Sequence, residues 1–354
     1  MTAASSGSEL SRIRARTARY RLAVLFGLGF CMCSGLLLDL STGPAQLGIG
    51  SLLSGIFWPE SLDAGTYVII WQVRLPDSLI AIVIGMALGL AGAETQTILN
   101  NPLASPYTLG ISAAATLGAA TAIVGQPVLA GIPAAAALPA FAFLFALAAA
   151  ALVLGLASAQ GGGTSTVILY GIALVFLCNA LTGALQYLAT SEAVQQIVFW
   201  TIGNLTKAGW AELAIVTAVV VLMVPFSFHD VWKLTALRGG VVQARSAGLD
   251  VSRIRLLVML RVCLLAAVSV CFVGAIGFIG LVGPHIARLL LGEDHRYLIP
   301  GACLTGAALL SFASFLSKAV LPGAIVPVGI VTAIIGVPVF LILIASRSER
   351  TSWS

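Results

Sequence analysis

The three lysines of the sequence, Lys207, Lys233 and Lys318, are the first residues to test for chemistry, because ATP hydrolysis requires a lysine in a strict pattern. A phosphate-binding loop places Lys after a glycine-rich turn and before Ser or Thr. The ammonium and the backbone amides then hold the phosphates while the hydroxyl binds magnesium. The residues that follow the three lysines are Ala, Leu and Ala. The sequence therefore predicts that this chain is not an enzyme and carries no cofactor of its own.

Metal binding and proton transfer have few candidate side chains. The histidines, His229, His285 and His295, show neither the HExxH spacing nor an acidic partner at a fixed offset, so structural roles are favoured over a metal site. The six cysteines are interpreted as small buried apolar side chains. Glu94 is unusual because it lies in an apolar stretch, where an ionisable residue is a functional candidate. A second interpretation is that Glu94 reaches interfacial water or pairs with a neighbouring chain.

Composition identifies the class of protein. Hydrophobic side chains make up 59% of the 354 residues and charged side chains only 9%, whereas about 25% of residues are charged in soluble domains. Long apolar runs recur from residue 22 to residue 344 and leave no room for a separate aqueous domain. These values exclude a soluble enzyme, a disordered chain, a collagen and a secreted disulfide scaffold. The expected fold is all-α, with one polytopic membrane domain.

Ten transmembrane helices are predicted from apolar windows of about 20 residues. They cover residues 22–38, 78–98, 107–125, 134–157, 165–188, 211–228, 254–273, 276–291, 298–317 and 328–345. This organisation gives a basic N-terminal tail (1–21), a transmembrane domain (22–345) and a C-terminal tail (346–354). With both ends in the cytoplasm, 14 of the 18 Lys and Arg residues lie on the cytoplasmic side. Basic clusters that flank apolar runs indicate topology and contact with lipid, and not nucleic-acid binding.

The segment 229–251 is the most informative stretch outside the predicted spans. Charged residues are interleaved there with leucines, valines and alanines, and Gly239 and Gly240 divide the segment. This pattern predicts two short cytoplasmic helices with a glycine hinge. A half-apolar element of this kind can dock into a groove on another protein. An interfacial helix on anionic lipid is the alternative, because the segment is also basic.

Several motifs follow one another along the chain. They are WQVRLP at 71–76, Gly92 and Gln96, NPLASP at 101–106, Trp200 and Gly203, ARSAG at 244–248, GFIGLVGPH at 277–285, DHR at 294–296, PVGI at 327–330 and GVPVF at 336–340. In this order and spacing, nearly the whole chain after Asp39 resembles the FecCD family. The members of that family are permease subunits of ATP-binding cassette importers for iron-siderophores, haem and cobalamin.

The resemblance implies a permease of the bacterial inner membrane that works in a larger complex. Its expected partners are a second permease, identical or homologous, two ATPase subunits that carry ATP and magnesium, and an extracytoplasmic binding protein. The family's coupling helices map onto residues 235–251. ATP binding by the docked ATPases would bias the bundle between outward-open and inward-open states. The expected ATPase-coupling residues are Leu237, Gly240, Ala244, Arg245, Ser246 and Gly248.

The resemblance also suggests where the binding protein docks. Arg74 and Lys318 stand where similar permeases present basic side chains to acidic residues of the binding protein. The sequence departs from the family at Asp77, where a second Arg is usual, and at Lys318, where Arg is usual. The expected consequence is a binding protein of altered charge, or a second permease that keeps the usual arginines. Gate and pathway residues are expected among Gly161, Gly162, Gly163, Asn101, Pro102, Gln96 and Glu94.

The sequence leaves more than one alternative for the transported cargo and for the energy source. An iron-siderophore is expected on its frequency in the family, while haem and cobalamin stay open. An ion-coupled secondary transporter is the second hypothesis, and it rests on Glu94 and Arg261. The sequence lacks the relay of ionisable residues that proton-driven transporters usually show, which favours the importer.

Overall fold

The computed structural model describes residues 2–45, 47–125, 132–159, 163–321 and 323–351, and these residues form helices and connecting turns without a strand. The α-helices are α1 (Thr2–Ser41), α2 (Ile49–Phe57), α3 (Ala64–Tyr67), α4 (Leu75–Ile98), α5 (Ile111–Val124), α6 (Ala134–Ala159), α7 (Thr164–Leu188), α8 (Ser191–Ile202), α9 (Trp210–His229), α10 (Val231–Arg238), α11 (Val241–Ser246), α12 (Val251–Val273), α13 (Ile279–Leu291), α14 (His295–Ala319) and α15 (Val328–Thr351). Short 3₁₀-helices at Pro59–Ser61 and Pro106–Leu109 and a π-helix at Val68–Arg74 connect some of them. The all-α expectation is confirmed.

Seven helices of the described ranges are long and apolar enough to cross a membrane. They are Ala15–Ser41, Ala64–Ile98, Ala135–Leu156, Thr164–Leu188, Trp210–His229, Val251–Val273 and His295–Ala319. Shorter apolar helices at Ile111–Val124, Ile279–Leu291 and Val328–Ile342 coincide with the other three predicted spans. The chain is therefore a multi-pass membrane protein. The count of ten stays a prediction, because these three helices are shorter than a full crossing of the bilayer requires.

The two predicted tails continue helices instead of standing apart from them. Helix α1 begins at Thr2, so residues 2–21 belong to the same helix as the first predicted span. Helix α15 ends at Thr351 and extends into the predicted C-terminal tail.

The centre of the bundle is α4, which packs against α12, α13 and α14. Two glycines of α4 allow its backbone to approach that of α14 closely. A Cβ on Gly85 would lie 2.5 Å from the Gly306 carbonyl oxygen, and one on Gly89 would lie 2.2 Å from the Ala302 carbonyl oxygen. Close backbone packing of this kind holds membrane helices together where lipid offers no hydrophobic driving force. Helices α1, α7 and α9 keep many apolar side chains exposed, which suits a boundary with lipid.

The segment between α9 and α12 forms the two short helices that the sequence predicts. We call α10 and α11 together the coupling element. Gly240, between them, has a φ of +123°, a conformation that side chains rarely adopt. Leu234 and Leu237 are buried and seat α10 on the bundle. Asp250 ends the segment by accepting a hydrogen bond from the Arg253 amide at 3.0 Å, which caps α12.

Candidate functional site

A buried ion cluster ties the coupling element to the centre of the bundle. Arg261 of α12 contacts Glu94 of α4 through Nη2 at 2.6 Å, and its Nε lies 3.0 and 2.9 Å from the two Glu94 oxygens. The Nη1 of Arg261 donates to Asp230, the residue before α10, at 3.2 Å. Lys233 of α10 completes the cluster with a 2.7 Å contact to Asp230. One arginine thus joins α4, α12 and the start of α10.

The enclosure of the ion cluster overturns one interpretation of Glu94. Its side chain is 0% exposed and that of Arg261 is 5% exposed. The interpretation that Glu94 reaches interfacial water or a neighbouring chain is therefore wrong. The pairing also accounts for both charges on which the secondary-transporter hypothesis rests. At the edge of the cluster, burial raises the pKa of Asp230, but hydrogen bonds from Lys233 and Arg261 outweigh burial and leave that pKa below its usual value.

His295 forms a second buried link between the bundle and the coupling element. It is the first residue of α14 and is 0% exposed. One ring nitrogen lies 2.8 Å from Thr97 Oγ1 of α4, and the other lies 3.2 Å from Thr235 Oγ1 of α10. The structural role that the sequence favours for this histidine fits these contacts.

The six predicted ATPase-coupling residues divide into groups with different surroundings. Leu237 and Ala244 are buried against the chain's own bundle, so they seat the coupling element and cannot contact another protein. Arg245 and Ser246 are exposed, and the Ser246 hydroxyl donates to the Val242 carbonyl within α11. The two glycines have positive φ, +123° at Gly240 and +77° at Gly248.

Two residues of the coupling element that the sequence interpretation did not select are the most exposed apolar ones. Trp232 of α10 is 68% exposed and Val242 of α11 is 79% exposed. Single exposed apolar side chains are common, but these two lie on the segment that the sequence predicts to dock another protein. The signal was present in the sequence, because Trp232 is out of phase with the buried Leu234 and Leu237 of α10, and Val242 is out of phase with the buried Ala244 of α11.

The three predicted docking residues lie in an enclosed ionic group. Arg74 is 5% exposed and donates to two backbone carbonyls, one of them that of Leu40 at 2.7 Å. The side chain of Lys318 is also 5% exposed and lies 2.9 Å from Asp39 and 3.9 Å from Asp77. These charges join the end of α1 to α4 and α14. The structure therefore does not present them as the exposed basic pockets that the docking expectation requires.

Local structure explains why these charges point inward. The Val68–Arg74 segment is a π-helix, whose wider turn changes the phase that an α-helix would give to Arg74. Asp77 and Asp39 flank the Lys318 ammonium, and the second oxygen of Asp39 accepts a hydrogen bond from Ser78 at 2.6 Å. Asp77, which departs from the family pattern, thus has its counterion, Lys318, within the same chain.

A cavity of about 690 Å³ lies beside α13 and α15. Its walls come from four parts of the chain, within 103–108, 201–202, 275–281 and 329–340. The described lining residues carry no charge, and their polar side chains are the hydroxyls of Ser105, Tyr107, Thr108 and Thr201. A pocket of this kind can hold a large ligand with a mainly apolar outer surface.

The cavity wall contains a strained turn. Phe278, immediately before α13, has a φ of +66°, which is uncommon for a residue other than glycine. Its ring packs against Gly336 of α15, where a Cβ would lie 2.5 Å from the Phe278 side chain. Glycine at position 336 therefore lets α15 approach the start of α13 and close this side of the cavity.

Three of the predicted gate and pathway residues, Asn101, Pro102 and Gln96, lie beside the cavity and not in its wall. Asn101 and Pro102 are half-buried and directly precede Leu103, the first lining residue. Gln96 is buried and donates to the carbonyl of Leu281, which also lines the cavity, at 3.2 Å.

Of the predicted glycine turn before α7, the structure describes only Gly163, which does not line the cavity. Gly163 is exposed just before α7, and Gly161 and Gly162 lie outside the described residues. The lining residues that the sequence interpretation missed, such as Tyr107, Phe278 and Phe340, lie in or beside motifs that carry the family resemblance. The motifs could have indicated these lining residues, because the segments that contain the motifs are far apart in the sequence and meet at one cavity.

Comparisons with known proteins show which family and fold this chain shares. The profile of the FecCD transport family matches residues 31–346. The hemin transport system permease protein HmuU of Yersinia pestis is 34% identical over 325 residues, which cover 92% of this chain and 97% of that protein. The vitamin B12 import system permease protein BtuC of Klebsiella pneumoniae subsp. pneumoniae is 36% identical over 327 residues, covering 92% and 94%. A solved structure of an ABC transporter assigned to the metal-chelate type, in an inward-facing conformation, aligns with a TM-score of 0.78 at 28% identity and covers 92% of this chain and 99% of that chain.

Proposed function

The chain belongs to the FecCD transport family of ABC importer permeases, and we propose that it carries a bulky metal chelate, with an iron-siderophore as the expected cargo, into the cytoplasm. In this proposal two permeases form the pathway and two separate ATPase subunits hydrolyse ATP. An extracytoplasmic binding protein delivers the cargo. As a permease subunit, this chain moves the cargo and leaves the chemistry of ATP to its partners.

The observation that carries the proposal is the position of the coupling element relative to the cavity. Family motifs from four separate parts of the chain line one uncharged cavity. The coupling element is fixed to the same bundle through Arg261 and His295, while Val242 and Arg245 of that element stay exposed. An importer permease needs both features, since ATP is hydrolysed on one protein and the cargo moves through another.

The cargo is inferred from the lining of the cavity. A single permease contributes about 690 Å³ with apolar walls and a few hydroxyls, which suits a large complex whose metal is enclosed by an organic shell. A small hydrated ion would need charged or carbonyl ligands, and the described lining residues offer no charged side chain. Relatives named for hemin and vitamin B12 support the same size class.

We place all ten apolar helices across the membrane, with both termini in the cytoplasm. Arg21 near the start of the first span bonds to Asp294 at the start of α14 at 3.2 Å. His295, the next residue, contacts α10. The basic N-terminal part of α1 and the coupling element therefore lie at one end of the bundle, as the positive-inside rule favours. The expected location is the inner membrane of a bacterium.

Recovery of the complex tests the proposal directly. The chain is purified from its native membrane in a mild detergent, retained proteins are identified by mass spectrometry, and ATP hydrolysis is measured with and without vanadate. We expect an ATPase subunit and vanadate-sensitive hydrolysis, with a binding protein or second permease identifying the cargo class. A chain recovered alone even after crosslinking would contradict the importer and favour a secondary transporter.

A substitution in the coupling element tests the docking surface. Val242→Glu places a charge on the most exposed apolar residue of α11 and should release the ATPase, because burying an unpaired carboxylate at an interface is costly. Val242→Ile keeps the apolar character and is the matched control, which should retain the ATPase. Equal recovery of the ATPase with both variants would show that α11 does not contact it.

A further inference from the structure

A chain of polar contacts leads from the coupling element into the bundle. Arg238, the last residue of α10, donates to Glu293 at 3.1 Å and to Asn100, which follows α4, at 2.5 Å. The other carboxylate oxygen of Glu293 pairs with Arg288 of α13. The second terminal nitrogen of Arg288 donates to the side-chain oxygen of Gln96 at 3.3 Å. This series of polar contacts therefore leads from α10 to α13 and then to α4.

Gln96 is the last residue in this series of polar contacts and lies next to the cavity. Its amide nitrogen donates to the backbone carbonyl of Leu281 at 3.2 Å, and Leu281 is a wall residue of the cavity. The Gln96 side chain thus accepts from α13 at one point and donates to α13 at another. The Glu293 side chain is 45% exposed, whereas that of Arg288 is 9% exposed and Gln96 is 0% exposed. The contacts nearest the cavity are shielded from competing water.

The first turn of α13 has a weaker backbone connection to the rest of the helix than an uninterrupted helix would have. Pro284 lacks an amide hydrogen, so the Gly280 carbonyl has no helical donor four residues later. Phe278, before the helix, holds a positive φ. Between these two weak points lies Leu281, whose carbonyl Gln96 holds. Gln96 therefore gives this turn of the cavity wall a side-chain hydrogen bond to α4, in addition to the backbone contact between Gly280 and Gly92.

The opposite end of α10 is held firmly. Asp230 and Lys233 belong to the ion cluster, and Leu234 is fully buried. A displacement of α10 by a docked protein would tilt the helix about this seat and would also shift the buried Leu237 beside Arg238. Its far end, at Arg238, would then move most.

We propose that Gln96 is a positioning residue that couples the tilt of α10 to the first turn of α13 at the cavity. When Arg238 moves, Glu293 and Arg288 transmit the displacement, and the Gln96 amide shifts the Leu281 carbonyl with it. The inference rests on the proposed function, because it assigns to this chain of contacts the transmission of ATPase movement to the transport pathway.

The test separates the two contacts of Gln96. Gln96→Glu keeps an acceptor for Arg288 but removes the donor to Leu281. Gln96→Leu removes both contacts. Thr95→Val is the control, because Thr95 is equally buried on α4 and its hydroxyl bonds within its own helix, to the Ala91 carbonyl at 2.6 Å. Each variant is assembled with its ATPase and binding protein in liposomes, and uptake of a radioiron-labelled siderophore and ATP hydrolysis are measured in the same sample.

The readout is the ratio of cargo transported to ATP hydrolysed. We expect this ratio to fall about five-fold in Gln96→Glu, the equilibrium effect of losing one buried hydrogen bond, and at least as far in Gln96→Leu. Thr95→Val should keep the wild-type ratio. A wild-type ratio in Gln96→Glu, or a parallel loss of uptake and hydrolysis at an unchanged ratio, would overturn the inference and leave Gln96 a packing residue. If the wild-type complex shows no ATP-dependent uptake, the proposed function itself fails, which is a distinct result.

Discussion

Replacing Glu94 by Leu leaves the Arg261 guanidinium in an enclosed site with one of its two carboxylate partners. Both side chains are almost fully buried, and Nε and Nη2 of Arg261 meet the Glu94 carboxylate at 2.6 to 3.0 Å. Removing one partner of a buried ion pair costs about 3 to 5 kcal/mol, because the other charge stays desolvated. Asp230 still lies 3.2 Å from Arg261. We therefore expect the lower end of that range, about 3 kcal/mol.

The double variant Glu94→Leu/Arg261→Leu removes the buried charge altogether. Asp230 keeps its 2.7 Å contact with Lys233, so no carboxylate is left without a cation. Exchanging a buried pair for apolar residues is often neutral, and we expect the double variant to stay within about 1 kcal/mol of the wild type. The two substitutions together should thus be milder than Glu94→Leu alone.

The assay is thermal unfolding of the purified chain in detergent, followed by tryptophan fluorescence. At about 2 °C per kcal/mol for a chain of this size, Glu94→Leu should lower the apparent Tm by about 6 °C and the double variant by less than about 2 °C. The control is Glu94→Leu/Val268→Ala, because Val268 is buried on α12 about 10 Å from Arg261 along the helix. Its effect should add to that of Glu94→Leu. A Glu94→Leu/Arg261→Leu variant that loses the sum of its two single effects would refute the idea that the pair acts as one unit.

Three other substitutions test separate features. Gly92→Ala should lower the apparent Tm by about 2 to 6 °C, because its Cβ would lie 1.9 Å from a backbone oxygen of α13, while Gly183→Ala on open α7 should not lower it. Asp77→Arg should lower both stability and coupled uptake, since it places a second cation beside Lys318 in an enclosed site; improved uptake would contradict this account. Hydrogen bonds from a neighbouring arginine hold the pKa of Asp294 below its usual value, so the stability that it contributes is present above about pH 4 and is lost as pH falls through the lowered pKa. Asp294→Asn should therefore flatten the acid-induced loss of Tm, and an unchanged acid profile would contradict that assignment.

Much of the architecture could be predicted from the sequence because it depends on neighbours along the chain. An apolar run becomes a membrane helix whatever it packs against, since its backbone bonds to itself. The coupling element follows from Gly239 and Gly240 between two half-apolar stretches, and the structure confirms its helices at α10 and α11. The order of the motifs was sufficient to predict the family.

The candidate site was only partly accessible from the sequence. Gln96 was selected as a pathway residue, but its contact with the Leu281 carbonyl joins residues 185 positions apart. Glu94 was selected as unusual, yet its partner Arg261 is 167 positions away. Arg74 and Lys318 were expected to be exposed, and the structure encloses them. In each case the residue type indicated that the position is unusual, but the sequence did not show which residues surround it.

The sequence by itself determined that the chain is a helical membrane protein of the FecCD family, with a two-helix coupling element between α9 and α12. Only the tertiary structure decided which charges meet, which face inward, and that the motifs line one cavity. The physical reason is that helix formation and membrane insertion are local, whereas these pairings require particular helices to touch. That contact is set by glycines such as Gly85 and Gly89, where two backbones approach more closely than any side chain would allow.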